Sequence, residues 1–432
     1  MTSDETISDR RGWLALSPVV LFMLLYVVAS VVIGDFYRIP VSVALVVASV
    51  WSVIIYRGIP LGQRIDTFSR AAGNYTIIYM LWIFILAGAF ASVAVKIGAV
   101  DAAVNSILDI FPARWIVPAM FVASCLISFS IGTSVGTVVA LTPLAVSMSS
   151  TAGVDTAYFV GAVLGGAFFG DNLSFISDTT IASTRSQGCD MADKFKANVR
   201  IAVPAALITL GVYLLAGPSM PERIPVGEAN PWLTVPYALV ILLSVAGMNV
   251  AVVLTLGILA AIVTGLCNGF GILDLAGFMG AGVDSMGDLI IITLLAAGML
   301  GVIKAAGGIR YLLDVLTRRV SGVRGAQGVI CLLVGMVNLC TANNTVAIIT
   351  VGSMSRDIAQ RYGVDRRKTA SLLDSTSCIV QCLIPYGAQT LLATSLAGLS
   401  PAAPFIYLYY PWALAVMVLL SIIFGFPKFS KS

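Results

Sequence analysis

Apolar stretches alternate with short polar ones along almost the whole chain. Runs near the roughly 20 residues that cross a bilayer as a helix fall at about 17–34, 40–56, 75–97, 157–169, 200–216, 231–247, 249–267, 287–305, 370–384 and 404–425. Two longer runs, 115–150 and 325–355, are each broken near the middle, at Ser130-Ile-Gly-Thr-Ser-Val-Gly-Thr137 and Asn338-Leu-Cys-Thr-Ala-Asn-Asn-Thr345. Each reads as a re-entrant hairpin, entering and leaving on one side, or as a single interrupted span. The pattern predicts an all-α polytopic membrane protein.

Basic residues choose between the two readings. With the N-terminus inside and both broken runs treated as hairpins, all of the 25 Lys and Arg except Arg38, Lys96, Arg114, Arg223 and Lys304 fall on the inner side. Lys96 and Lys304 sit near span ends, where a long side chain reaches the interface. A single crossing at 115–150 would move the basic 182–200 loop outside, against the positive-inside rule. Both termini are therefore expected to be cytoplasmic.

The same order exposes an internal repeat. Residues 17–216 and 231–425 each read as two spans, an amphipathic connector, a span, a polar connector, a hairpin, a span ending in a polar break, and a final span. Gly98 matches Gly308, Thr137 matches Thr345, and Thr180 matches Thr390. Five crossings plus a hairpin is odd, so the second repeat is expected to be inverted relative to the first. Connector 57–74 carries Arg57, Arg64 and Arg70, while its counterpart 269–286 carries only Asp274 and Asp284. A cytoplasmic tail (1–16), an external linker (217–230) and a second cytoplasmic tail (426–432) complete the expected organisation. Inverted repeats with discontinuous helices belong to secondary transporters, whose binding site lies near the midplane between the repeats.

Composition narrows the classes further. The 432 residues are 59% hydrophobic and 11% charged, against about 25% charged in soluble domains. Polar stretches are too short for a soluble core, and nothing suggests a nucleic-acid partner; the expected surroundings are lipid. The seven cysteines include no Cys-x-x-Cys pair. Cys378 and Cys382 share a helix face, but no second pair or His completes a ligand set, so packing is the expected role. The chain has no histidine, so carboxylates must carry any transported proton. No nucleophile–base pair supports a membrane enzyme. No cofactor is expected, and a homodimer is the candidate assembly.

Residues 170–180, Gly-Asp-Asn-Leu-Ser-Phe-Ile-Ser-Asp-Thr-Thr, set two carboxylates inside an otherwise apolar span. A charge at membrane depth costs about 2.5–3.5 kcal/mol on insertion scales, so Asp171 and Asp178 must face a partner, a cavity or an ion. Four polar interruptions converge if the repeats pack about a pseudo-two-fold: the tips at 130–137 and 338–345, and the breaks at 170–180 and 384–390. The first repeat supplies Ser134, Thr137, Asp171, Asn172, Ser177, Asp178 and Thr179. The second supplies the neutral Asn338, Thr341, Asn343, Asn344, Thr345, Gln389 and Thr390, with Asp374 its one intramembrane acid. Hydroxyls, amide carbonyls and freed backbone carbonyls suit a hard cation such as Na⁺. If helical throughout, Asp171 and Asp178 would lie about 10 Å apart on one face. Structural roles compete: an Asp178–Arg185 ion pair, helix capping by Asp171, Asn343 or Asn344, and hydroxyls bonding their own helix. Gly161, Gly165, Gly166 and Gly170 are expected to permit close helix packing.

Gly-Ala-Phe-Phe-Gly-Asp-Asn-Leu-Ser-Phe-Ile-Ser-Asp-Thr-Thr (166–180) resembles the signature segment of the NhaC-type Na⁺/H⁺ antiporter family, as does Gly132-Thr-Ser-Val-Gly-Thr137. The resemblance in span order covers about 15–425. It implies cation/proton antiport through a bacterial inner membrane, with Na⁺ and H⁺ as transported ions and Asp171 and Asp178 at the positions of the family's acids. The chain departs from the pattern at Asn172, where many relatives carry Lys, and at Phe175, where they carry Pro. Its Ala-Asn-Asn-Thr tip is closer to the Asn-Thr tips of sodium-coupled symporters. The leading expectation is competition of Na⁺ and H⁺ at Asp178, with Asp171 or Asp374 as partner. Competition near neutral pH needs a carboxyl whose anion is disfavoured by about 4 kcal/mol relative to a free side chain. The alternative is Na⁺-coupled symport or exchange of a small amino or organic acid, held by Asn343, Asn344 and half-helix N-termini.

Overall fold

The structure is a computed structural model, which describes residues 9–33, 41–110, 112–175, 177–215, 217, 230–246, 248–317 and 321–427. The 217–230 linker falls largely outside these residues, as do residues 1–8 and 428–432 of the expected tails and both Arg38 and Arg223; residues 9–16, expected as tail, begin the first helix. The regular elements among the described residues are helical. The first ten are α1 (Asp9–Ile33), α2 (Val41–Ile55), α3 (Leu61–Ala72), α4 (Tyr75–Lys96), α5 (Ala99–Ile110), α6 (Ile116–Ile131), α7 (Ser134–Ala152), α8 (Thr156–Leu173), α9 (Asp178–Gln187) and α10 (Met191–Leu215). The next ten are α11 (Val235–Val245), α12 (Val250–Cys267), α13 (Ile272–Ser285), α14 (Gly287–Ala305), α15 (Gly308–Thr317), α16 (Gly322–Thr341), α17 (Asn344–Tyr362), α18 (Arg366–Leu383), α19 (Ala388–Ala397) and α20 (Tyr409–Phe424). Among the described residues, 8 helical segments are long and apolar enough to cross a membrane. The 22 residues of α4 reach about 33 Å.

Helix boundaries follow local chemistry. Side chains of Asn74, Asp155, Asn249 and Asp365 each accept a backbone N–H of the first turn that has no intrahelical partner, opening α4, α8, α12 and α18.

Hydrogen bonds show that both broken runs turn back on themselves. Ser124 Oγ donates to Val163 O and Ser128 Oγ to Ala167 O, so α6 and α8 advance in the same direction. At the other end of α7 the pairing runs oppositely: Ser134 meets Asp171, and Ser149 meets Thr156. Helix α7 is therefore antiparallel to both, and the chain reverses through Gly132 and Thr133 alone. Gly132 adopts φ 74°, a left-handed conformation open to glycine without strain. In the second half, Asn338 Nδ2 donates to Ser377 O and Gln381 Nε2 to Ala342 O, so α16 and α18 run parallel. Here the reversal passes through Ala342 (φ 46°), the one non-glycine with positive φ among the described residues.

The small-residue stripe on α8 packs as its spacing predicts. A Cβ on Gly166 would stand 2.5 Å from Ser124 Cβ, and one on Gly170 would stand 2.4 Å from the Ser128 backbone carbon. Gly161 and Gly165 face Tyr407 and Tyr410 instead.

The amphipathic connectors are exchanged between the two halves. Helix α3 lies on α14, where Gly298 meets Phe68 and Gly301 meets Ala71; α13 lies on α4. At the second crossing a Cβ on Gly88 would come within 2.3 Å of the Gly282 carbonyl oxygen.

One expectation needs correction. The charged stretch before residue 200, expected as a basic inner loop, forms the opening turns of α10 from Met191 onward. It is helical and packed into the bundle because Lys194 and Asn198 find buried partners in the polar centre.

Candidate functional site

Helix α8 is buried along nearly its whole length and unwinds after Leu173; α9 begins at Asp178. The break is thus shorter than the polar 170–180 stretch. Stopping a buried helix frees carbonyls that must be paired in the absence of water. Ser177 Oγ donates to Asp171 O (2.9 Å) and Thr179 Oγ1 to the same oxygen (3.2 Å). Lys194 Nζ and Asn198 Nδ2 each donate to Asn172 O at 2.8 Å. Ser177 also caps α9 by accepting Thr180 N–H (3.2 Å). The hydroxyl-rich sequence is what lets the chain unwind here.

The Asp171 carboxylate, 5% exposed, points at the start of α7. Its Oδ1 accepts Ser134 N–H at 3.0 Å, and its Oδ2 accepts the Ser134 hydroxyl at 2.6 Å. A carboxylate at a helix N-terminus also gains from the helix dipole. The capping role considered for Asp171 is therefore real, and the capped helix is the second arm of the first hairpin. From Ser134 a continuous chain of side chains crosses to the other half. Gln389 Nε2 donates to Ser134 Oγ (3.0 Å), and Gln381 Nε2 donates to both Gln389 Oε1 (3.1 Å) and Ala342 O (2.9 Å). Both hairpin tips and both helix breaks are joined by this path.

A cavity of about 140 Å³ lies beside it, walled by Ser134, Asp171, Asp178, Thr179, Asn343, Asn344, Thr345, Gln381 and Gln389. Asp178 faces this space with an exposed side chain and, among the described residues, forms no ion pair with Arg185. Two carboxylates, hydroxyls and amide oxygens around a space of this size form an oxygen-rich surface suited to a hard cation. A second cavity of about 230 Å³ shares Thr76, Met80, Ala342, Asn343 and Ala388 with the first. Lys304 is the only charged side chain among the residues lining it.

Most other candidates lie outside the carboxylate cavity. Asn172 is fully buried, its Nδ2 donating to Phe168 O and Tyr410 Oη. Ser177 holds the break together, and Thr137 bonds its own helix at Thr133 O. Asn338 ties α16 to α18, and Thr341 donates to Asn343 O within the tip. Asn343 caps α17 through Val346 N–H (3.0 Å), the structural role considered for it, and still lines the cavity. Thr390 is buried.

Asp374 is fully buried and forms an ion pair with Lys194 at 2.9 Å, their side chains 0% and 1% exposed. Asn198 Nδ2 adds a bond to Asp374 Oδ2 at 2.7 Å. Lys194, Asn198, Gln381 and Tyr410 are the members of this polar centre that the sequence reasoning passed over. Gln381 was within reach, because the match of Thr180 to Thr390 places it opposite Asp171. Lys194 was not, since it reads as one of several basic residues in a polar stretch.

A profile of the Na⁺/H⁺ antiporter family matches residues 13–217 and 228–429. The chain is 25% identical over 356 residues to the Na⁺/H⁺ antiporter NhaC of Bacillus subtilis, spanning 73% of this chain and 77% of that protein. It is 22% identical over 430 residues, 90% of each, to the malate-2H⁺/Na⁺-lactate antiporter of the same organism. To the arginine/ornithine antiporter ArcD of Halobacterium salinarum it is 24% identical over 368 residues, covering 76% and 75% of the two chains.

Proposed function

The chain belongs to the Na⁺/H⁺ antiporter family, and from that premise we propose that it exchanges Na⁺ for H⁺ by alternating access, with the two ions competing at Asp171 and Asp178. As a member of a transporter family it is a multi-pass membrane protein. The observation that carries the finer reading is the 140 Å³ cavity in which both carboxylates meet the hydroxyls and amides of two helix breaks and two hairpin tips. Asp178, exposed to that space, is the group to which a cation or proton has direct access. Asp171 offers a second carboxylate whose geometry is fixed by Ser134.

The membrane arrangement proposed with it has two inverted repeats, 17–216 and 231–425, each of five crossings and one re-entrant hairpin. The recurrence of the helix order of α1–α10 in α11–α20 supports it, as do the two chain reversals. Both termini face the cytoplasm of a bacterial cell in this arrangement. The 230 Å³ cavity is lined in part by Ala71 and Asn74, from the connector that carries Arg57, Arg64 and Arg70.

A second reading is exchange of a small organic or amino acid coupled to Na⁺. The observation favouring it is the adjoining cavity, where Lys304, Thr341 and Asn343 offer a cation and polar groups beside the carboxylate site. Two relatives are named as carriers of such solutes.

Both readings meet one experiment. Purified protein in vesicles is given Na⁺, and proton release is followed with and without a panel of amino and carboxylic acids. Release without any solute supports Na⁺/H⁺ antiport; strict dependence on a solute supports the second reading. An Asp178→Asn protein exchanging at the normal rate would remove Asp178 from its assigned role.

A further inference from the structure

Lys194 is an unusual lysine for a membrane protein. It starts in the first turn of α10 and ends in the centre of the bundle, where its ammonium is surrounded by oxygens from three other elements. Nζ lies 2.9 Å from Asp374 Oδ2, 2.8 Å from Asn172 O and 2.6 Å from Thr180 Oγ1. These are one carboxylate, one backbone carbonyl freed by the α8 break and one hydroxyl. That set would serve a hard metal cation as well as it serves an ammonium. On two residues that bond within this group, Asn172 Oδ1 and Asn198 Oδ1 are buried with no hydrogen-bond partner among the described residues. The neighbourhood thus holds more oxygen acceptors than one ammonium can satisfy.

The position of the pair separates it from the exchanging site. Asp171 and Asp178 line the cavity; Asp374 and Lys194 do not. Asn172 links the two regions, because its side chain and carbonyl lie on the buried side while the adjacent Asp171 carboxylate faces Ser134.

We propose that Asp374, Thr180 and the Asn172 carbonyl form a second cation site, filled in this protein by the tethered ammonium of Lys194. The lysine acts as a permanent internal cation: it neutralises Asp374 throughout the cycle and braces the break beside Asp171. Exchange is left to Asp171 and Asp178. This proposal rests on the reading that Na⁺ is a cargo of the protein.

Removing the amine leaves a buried carboxylate without its partner, a strongly unfavourable state that a mobile cation relieves. The test is equilibrium binding of radioactive Na⁺ to detergent-purified wild type, Lys194→Ala and Lys194→Ala/Asp374→Asn, alongside Na⁺-driven proton release in vesicles. Lys194→Ala is expected to bind one more Na⁺ per chain than wild type. Methylammonium should displace that ion, and tetramethylammonium, bulkier and with no N–H to donate, should not. The double variant is expected to return to wild-type occupancy. A monodisperse Lys194→Ala protein with wild-type occupancy and no response to methylammonium would overturn the assignment. If Lys194→Ala alone does not fold, the double variant decides: a folded double variant that binds more or less Na⁺ than wild type would show that the pair is not a self-neutralising site, and the proposal fails. Wild type that binds Na⁺ but releases no proton refutes the antiport reading instead, and the binding comparison still stands.

Discussion

Replacing Ser134 with alanine tests the central contact most directly. The hydroxyl donates to Asp171 Oδ2 at 2.6 Å and accepts from Gln389 Nε2 at 3.0 Å, all in buried surroundings. Its loss has two separable consequences. A hydrogen bond to a charged group contributes about 1.5–3 kcal/mol, and this one stabilises the ionised carboxylate. The Gln389 N–H, left without its acceptor, costs about 1–3 kcal/mol whether or not the carboxyl is protonated. Only the first term alters the competition between H⁺ and Na⁺. At about 1.4 kcal/mol per pH unit, it moves the pH of half-maximal exchange upward by about 1–2 units, because Asp171 holds its proton more firmly. The second term appears as lower thermal stability in detergent. The assay is Na⁺-driven proton release from vesicles over a pH series, with thermal unfolding in parallel. A Ser134→Ala protein that is less stable but has an unmoved pH profile would refute the reasoning, by showing that the Asp171 charge is not part of the competition.

Three further outcomes follow from packing and capping. Gly170→Ala is expected to lower stability by about 1–3 kcal/mol, because its Cβ would meet the Ser128 backbone at 2.4 Å; Gly211→Ala, with nothing within 4 Å, should be neutral or slightly stabilising, and equal melting points for the two would contradict the α6–α8 contact. Asn343→Ala removes the cap on Val346 N–H and is expected to cost about 1 kcal/mol while raising the Na⁺ concentration for half-maximal exchange; an unchanged half-saturation would take Asn343 out of the cavity wall. Asp365 caps α18, and its bonds to Arg367 hold its carboxyl below the usual range. Its contribution is therefore present above the ordinary carboxylate value and is lost as pH falls through the lowered one. Asp365→Asn should lower the melting temperature at neutral pH, with the difference from wild type shrinking in acid; a difference constant with pH would exclude the charge as its cause.

The breaks in the helices were legible because they violate the apolar rule over several consecutive residues. The reversals at Gly132–Thr133 and Ala342–Asn343 fall inside the two predicted tips, and the unwound turns fall inside 170–180 and 384–390. The extent of the breaks was not legible. Hydroxyls of Ser177 and Thr179 and the side chains of Lys194 and Asn198 pair the freed carbonyls, so only a few residues leave the helix. Asp374 stood out in the sequence as an unpaired acid, and its partner did not. A lysine next to Lys196 and Arg200 reads as part of a solvated basic stretch, and only the packing of α10 on α18 shows where its ammonium ends. Gln381 illustrates the opposite case. Its importance comes from standing in the second half where Asp171 stands in the first, which no property of an isolated glutamine announces.

The exchange of α3 and α13 between the halves also constrains how the chain is made. Gly88 on α4 can meet its backbone partner only after Gly282 on α13 has left the ribosome. At about 5–20 residues per second, synthesis of the intervening chain takes roughly 10–40 s, and through that interval the glycine face of α4 has lipid or an insertion factor as its neighbour. The first half cannot reach its final packing alone, so biogenesis becomes a waiting problem: early helices must stay inserted, unaggregated and correctly oriented until the later ones arrive to clasp them.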